Sequence, residues 1–218
     1  MLAVDIKNLT FAYDGGAPVL RDICFEISAG ETFVIAGPSG SGKTTLCNIL
    51  CGVIPNAVKG DLSGHISIMG IDPREAGLPQ TALCAGMVFQ DAESQIICTT
   101  VEDELAFALE NLRSANPNSL SGGRKKLLTI AAVLAPSPPI LILDEPMSGL
   151  DADGRELILK TIEQQRSRGM TVIIVEHDLG LVEFADRWLL LRSGEAAACG
   201  KPSDILQDEK LLKELRLI

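Results

Sequence analysis

The sequence predicts an α/β fold built on a parallel sheet covered on both faces. Three short runs, apolar apart from a leading Thr in two of them, carry this reading: TFVIA at 32–36, ILIL at 140–143 and TVIIV at 171–175. Runs of this length without polar alternation read as strands buried on both faces. Segments with helical spacing alternate with them, and a glycine-rich stretch follows the first run, which is the order of an α/β chain.

The elements follow in chain order. Val4, Ile6 and residues 9–13 read as a strand, Gly15 and Gly16 as a turn, and the alternating segment 20–27 as a second, half-buried strand. The buried run 32–36 leads through glycines into a helix over 44–51. Strands are expected at 65–69 and 87–89. Thr100, with Asp103 three residues on, forms a capping-box pattern for a helix through Glu104, Leu105, Phe107 and Leu109. The polar stretch RSANPNS at 113–119 ends it, and a second helix is expected over 121–135, stopped by Pro136, Pro138 and Pro139. These two helices read as a small helical insertion. Beyond it come the buried strand 140–143, an amphipathic helix 153–168 closed by Gly169, and the buried strand 171–175. A short helix over 179–185, a hairpin of 188–191 with 195–199 around Ser193 and Gly194, and a final helix over 204–217 complete the chain.

Composition bounds the function. The chain has 218 residues, 46% of them hydrophobic, enough for a large core. Lys plus Arg number 19 against 29 Asp plus Glu, a formal charge of −10, the opposite of the balance expected of a nucleic-acid binder. Mean hydropathy is +0.24, yet no apolar run reaches the ~18–20 residues of a membrane helix. Asp5 and Lys7 interrupt the apolar start, so no signal peptide is expected and the chain is placed in the cytoplasm. Six cysteines form no CxxC pair. Cys47 and Cys51, four apart on a helix, read as small core residues rather than metal ligands.

The chemistry is concentrated in a few motifs. GPSGSGKTT at 37–45 fits G-x-x-x-x-G-K-[ST] and lies between a buried strand and a helix. The segment Gly37, Pro38, Ser39, Gly40, Ser41 and Gly42 can wrap round a phosphate with the backbone N–H groups of all but Pro38 as donors, and Lys43 can reach the β- and γ-phosphates. The Thr44 hydroxyl can ligate Mg²⁺, and Thr45 continues the cradle into the helix N-terminus. LILDEP at 141–146 ends a strand in two carboxylates. Asp144 is expected in the Mg²⁺ shell and Glu145 as the base that polarises the attacking water. LSGGR at 120–124 opens a helix with Ser121, Gly122 and Gly123, a second anion cradle. One chain with one nucleotide needs only one cradle, so the second makes sense if it closes on a nucleotide held by another copy. Gln90, after a short strand, can touch Mg²⁺ or the water. His177 can donate to the γ-phosphate, and Tyr13 can stack on adenine.

Read in order as FAYDG, GPSGSGKTT, VFQ, LSGG, LILDEP, SGLD and VEHD, the chain resembles the ATP-binding subunits of ABC transporters over nearly its whole length. The resemblance implies a P-loop NTPase: a RecA-like parallel sheet core, an N-terminal antiparallel β subdomain and a helical subdomain. On that division 1–89 and 137–200 form the core with the β subdomain, 90–136 a shortened helical subdomain, and 201–218 a C-terminal helix. It also implies roles: Tyr13 as the adenine-stacking aromatic, Gln90 as the link to the helical subdomain, the loop ending at Asp151 as a dimer crossing, and His177 on the γ-phosphate. The family works as a head-to-tail dimer with two ATPs between phosphate loop and LSGG. VFQDAESQI followed by TTVEDELAFALENL is similar to the ATPases of energy-coupling-factor transporters. These sit at the cytoplasmic face of the membrane and import vitamins or transition-metal ions. They do so with a transmembrane coupling subunit and a substrate-capturing membrane subunit.

The chain departs from the family in three places. The stretch between LENL and LSGG is short, which bears on the coupling surface. Arg124 stands for the usual Gln and Met147 for the usual Thr. Two other readings stay open at this stage: a non-transport ABC-type ATPase switch, and a degenerate cassette that pairs with an active one.

Overall fold

The computed structural model describes residues 1–96 and 120–217. The predicted capped helix from Thr100, the stretch 113–119 and the groove expected to receive a coupling subunit lie outside the described residues.

Two sheets organise the described residues. β1 (Leu2–Tyr13), β2 (Leu20–Ser28) and β4 (Gly60–Ile68) form an antiparallel sheet in the order β2-β1-β4. The other sheet has the order β5-β6-β7-β3-β8-β9, from β3 (Thr32–Ala36), β5 (Ala85–Val88), β6 (Ile140–Asp144), β7 (Thr171–Val175), β8 (Arg187–Arg192) and β9 (Glu195–Gly200). All its neighbours run parallel except the β8–β9 hairpin. This is the predicted α/β architecture with an antiparallel β subdomain.

The unbroken apolar strands are buried on both faces because the side chains alternate between two cores. Phe33, Ile35, Ile142, Ile173 and Val175 join one core with Leu46, Ile49 and Leu50 of α1 (Lys43–Leu50) and with residues of β1 and β2. Val34, Leu141, Leu143, Val172 and Ile174 join the other, with Ile130 of α4 (Gly122–Leu134) and Ile158 and Ile162 of α5 (Ala152–Ser167). Each fully buried aliphatic side chain contributes ~1.5–3 kcal/mol, so the sheet is the rigid centre on which the loops are mounted. Cys47 and Cys51 are buried in the first core, as expected, and burial pushes the Cys51 thiol up to about 11.

Several elements differ from the sequence reading. The expected helix over 179–185 is only a 3-10 turn, Leu179–Leu181. The Val182 carbonyl, which a helix would give to Asp186, instead accepts from Trp188 Nε1 at 3.2 Å, and the Asp186 amide donates to Thr32 O at 2.9 Å. The C-terminal helix is two short pieces, α6 (Pro202–Ile205) and α7 (Glu209–Glu214), because the Asp208 side chain caps α7 by accepting from the Leu211 amide at 3.0 Å. Among the described residues three elements were not foreseen: α2 (Val53–Asn56), α3 (Pro73–Cys84) and a 3-10 turn, Ala92–Gln95. In α3 Asp72 accepts from the Arg74 amide at 2.9 Å, and Gly77, at φ 77°, joins two helical pieces where Gly77 and Pro79 read as breakers.

Candidate active site

Four neighbouring parallel strands bring their C-terminal ends to one place. In spatial order β5, β6, β7 and β3 lead into Gln90, the pair Asp144 and Glu145, His177, and the loop 37–45. Asp144 pairs with Val175, and Val175 with Ile35, so the carboxylate is level with the entry to the loop. The carboxyl ends of such strands are where open α/β sheets hold ligands.

The loop depends on glycine. Gly37, at φ 150°, packs so closely on β8 that a Cβ there would overlap Leu191 O and lie 2.8 Å from Ser41 Oγ. Gly37→Ala is expected to lower stability by ~1–3 kcal/mol and to weaken nucleotide binding. Thermal melts and a nucleotide titration check this, and wild-type values in both would contradict the close packing. Lys43 is 8% exposed, and its Nζ donates to Gly37 O at 2.8 Å and Pro38 O at 3.0 Å. Burial pulls the pKa of this ammonium down, and the charges of Glu145 and Asp144 partly restore it. The cation is thus folded over its own loop, beside two acids. Ser39, Gly40, Gly42, Lys43, Thr44, Thr45, Gln90 and Glu145 line a polar cavity of about 230 Å³. An adjoining cavity of about 500 Å³ adds Gly37, Pro38, His177, Arg216 and Leu217. Ser41 turns inward and is buried. Tyr13, at the side of the loop, is 39% exposed, with its hydroxyl 3.1 Å from Thr45 Oγ1 and its ring edge-on to Phe11.

Thr44 Oγ1 donates to Asp144 Oδ2 at 3.1 Å. Asp144 is 4% exposed, and burial raises its pKa, opposed by the Thr44 hydrogen bond and by Lys43. Two hard oxygens side by side, one a buried carboxylate that would gain from neutralisation, fit Mg²⁺, which commonly takes one or two protein oxygens together with substrate phosphates. Among the described residues no cluster of three or more His, Cys, Asp or Glu forms a self-sufficient metal cage.

Glu145 stands at φ 46°, a left-handed conformation that costs a non-glycine residue ~1–3 kcal/mol and persists only where its surroundings fix it. Its amide donates to Val175 O at 3.0 Å, and its Oε2 accepts from Gln90 Nε2 at 2.9 Å. His177 Nδ1 lies 3.9 Å from Glu145 Oε1, at the exposed rim. The bend that brings Gln90 here is held by Gln95, whose side chain accepts from the Phe89 amide at 2.8 Å and donates to Met87 O at 3.2 Å.

The segment expected as a second cradle lies elsewhere. Ser121, Gly122 and Gly123 line neither cavity. Ser121 is exposed and makes no capping bond to its own helix, and the first turn carries no acid. Gly123 meets Gly154 closely enough that a Cβ would sit 3.1 Å from Gly154 Cα. Asp151 N-caps α5 by accepting from the Gly154 amide at 2.9 Å. The predicted set therefore divides in two: one group converges on the loop 37–45, and 121–123 with Asp151 form a separate group on the same chain.

Residues 20–148, more than half of the chain, match the family model described as ABC transporter. The chain belongs to the ABC transporter family. It is an ATP-binding subunit of a transporter. A Pyrococcus abyssi protein, provisionally named as an ABC transporter ATP-binding protein, is 35% identical over 241 aligned residues, covering 99% of this chain and 86% of the relative. The aligned length exceeds the chain, so the relative carries internal residues that this cassette lacks. Among solved structures, cbiO1 from Clostridium perfringens, part of the ABC transporter complex cbiONQ, superposes with a TM-score of 0.83 at 28% identity, covering 99% of this chain and 95% of that one. A dimeric ATP-binding cassette in a post-hydrolysis state with ADP and Pi gives a TM-score of 0.75 at 28% identity, covering 91% of this chain and 98% of that one. The cassette fold expected from the motifs is thereby established.

Four residues at the site of this cassette were not foreseen: Gln95, Lys126, Glu176 and Arg216. Lys126 had one signal, a lysine three residues from Gly123 and four from Ile130, in phase with the apolar stripe of its helix. Glu176 is 1% exposed just beyond the wholly buried strand β7, and burial raises its pKa. Nothing local marks Gln95 or Arg216, which reach the site through turns.

Proposed function

We propose that this cassette hydrolyses ATP with Mg²⁺ as one half of a dimer. In that role it would energise an energy-coupling-factor-like importer of a vitamin or a transition-metal ion from the cytoplasmic face of the membrane. The observation that carries the enzymatic part is the pairing of Thr44 with Asp144 and of Gln90 with Glu145 at the cavity lined by Lys43 and the phosphate loop. The likeness to cbiO1 supports the importer class. Among the described residues no helix is long and apolar enough to cross a membrane.

In this mechanism the N–H groups of 37–45 and the Lys43 ammonium hold the β- and γ-phosphates. Tyr13 stacks on the adenine. Thr44, Asp144 and Gln90 would hold Mg²⁺, which supplies charge neutralisation on the phosphate oxygens. Glu145 accepts the proton of the attacking water, Gln90 steadies that carboxylate, and His177 donates to the γ-phosphate. Ser121, Gly122 and Gly123 of one copy close on the nucleotide of the other, and Asp151 lies at the crossing between them. The dimer partner is a second ATPase subunit, identical or homologous. The further partners are a transmembrane coupling subunit and a substrate-capturing membrane subunit, and no nucleic acid is involved.

Ser121→Arg tests the reading. It is expected to leave ATP binding to the isolated chain unchanged, because Ser121 lines neither cavity at the phosphate loop. Turnover should fall ~100-fold, the usual cost of removing a donor that faces developing charge. Phosphate release and an ATP titration measure the two. Wild-type turnover in the variant would remove the second cradle from the mechanism.

A further inference from the structure

We infer that Lys126 is a positioning residue that aims Glu145 by gripping the backbone of the loop that carries it. Lys126 lies on α4, three residues beyond Gly123, and is 9% exposed. Its ammonium donates to Glu145 O at 3.1 Å, Pro146 O at 3.0 Å and Ser148 O at 3.0 Å. Three acceptors match its three protons, so its donor capacity is used in full on one turn of backbone. From the other side Glu176 Oε1 accepts from the Met147 amide at 3.4 Å. The carbonyls of 145, 146 and 148 thus face a buried cation and the intervening amide faces a buried anion.

This grip sits where the backbone needs it. Glu145 is held at positive φ, and a left-handed glutamate keeps that conformation only when its neighbours over-determine it. Stability is a weak reason to bury a lysine, since an apolar residue of similar volume is often as stable or more so. Burial does lower the pKa of Lys126, and Glu176 and Glu145 counter this, in keeping with a cation held among acids. The acceptors are main-chain carbonyls, so the contact orients peptide planes and does not depend on the side chains at 146–148.

The inference rests on the proposed role of Glu145, and it adds a connection. The helix that carries Lys126 begins at Ser121–Gly123, the cradle assigned to the partner's nucleotide. A tilt of α4 on closure would move Lys126 and, through it, the carboxylate of its own site.

The test compares K126M and K126R with the wild-type chain. K126M is expected to lower kcat by about 10- to 100-fold, the cost of a misaimed group. KM, the affinity for a fluorescent ATP analogue and the melting temperature should stay at wild-type values, and K126R should restore most of kcat. Wild-type kcat in K126M, or a joint fall in affinity and melting temperature, overturns the inference. Hydrogen exchange of the Glu145, Met147 and Ser148 amides gives a second readout that needs no turnover. K126M should speed it by about 10-fold or more, and unchanged exchange overturns the inference even in a chain without ATPase activity. An inactive wild type with faster exchange in K126M would instead count against the proposed function alone. If K126M does not fold, K126Q, which keeps two amide donors on a shorter arm, is held to the same criteria.

Discussion

Replacing Glu145 with glutamine is expected to cut ATP turnover by about 10²–10⁴-fold, the usual contribution of a general base, while ATP binding persists. The amide has the size of the carboxylate and keeps an oxygen that can accept from Gln90 Nε2, which holds Oε2 at 2.9 Å. Nothing in the phosphate loop changes, so Lys43 and the backbone N–H groups still bind the nucleotide. The γ-phosphate is then not removed, and the contact it makes between two copies should persist. Size-exclusion chromatography with ATP is expected to show an accumulated dimer, and a phosphate-release assay to show the lost turnover. Turnover within about threefold of wild type would take Glu145 out of the base role.

Replacing Lys43 with alanine is expected to weaken ATP binding about 100-fold, or ~3 kcal/mol. An ammonium on phosphate oxygens makes charge-assisted hydrogen bonds worth ~1.5–3 kcal/mol each, and among the described residues no other lysine or arginine lines the smaller cavity. The ammonium is pre-placed by Gly37 O and Pro38 O, and burial makes its charged form less favourable until an anion arrives. Part of the phosphate attraction is therefore relief of an existing cost. A titration with labelled ATP measures the effect, and an affinity within about threefold of wild type would contradict the placement. The two variants separate binding from chemistry: the first should bind without turning over, the second should bind far more weakly.

Particular elements show how much of this was legible beforehand. The strand TFVIA coincides with β3 to the residue, and TVIIV with β7, because every position of each run is buried and Gly37 and Glu176 mark where the runs end. The phosphate loop was legible because its glycines answer a local demand, which Gly37 shows by its contact with Leu191 O. The helix Pro73–Cys84 was not, because Gly77 and Pro79 mark a break by local rules, and only packing joins the two helical pieces. The strand expected at 65–69 begins at Gly60, since its first half is polar and is fixed by pairing with β1 from Thr10 to Tyr13. The single C-terminal helix failed for a local reason, the Asp208 cap.

The site follows the same division. The motifs named Lys43, Thr44, Gln90, Asp144, Glu145 and His177 one at a time, because the residue type and its place after a strand are local properties. Lys126 and its neighbour Lys125 look alike in the sequence, and helical phase alone sets them apart. What turns Lys126 into a clamp is its reach to three carbonyls of a loop some twenty residues further on.

By itself the sequence determined which segments are buried strands, which loop can wrap a phosphate, and which acids follow a strand, since apolar runs, glycine freedom and side-chain chemistry act within a few residues. The tertiary structure decided the strand order β5-β6-β7-β3, which sets Gln90 beside Glu145 and Asp144 beside Thr44 across long sequence separations. It also decided that 121–123 lie away from the first cradle. The physical reason is that strand neighbours are chosen by burying both faces of one sheet, a condition on the whole chain that no short stretch of it contains.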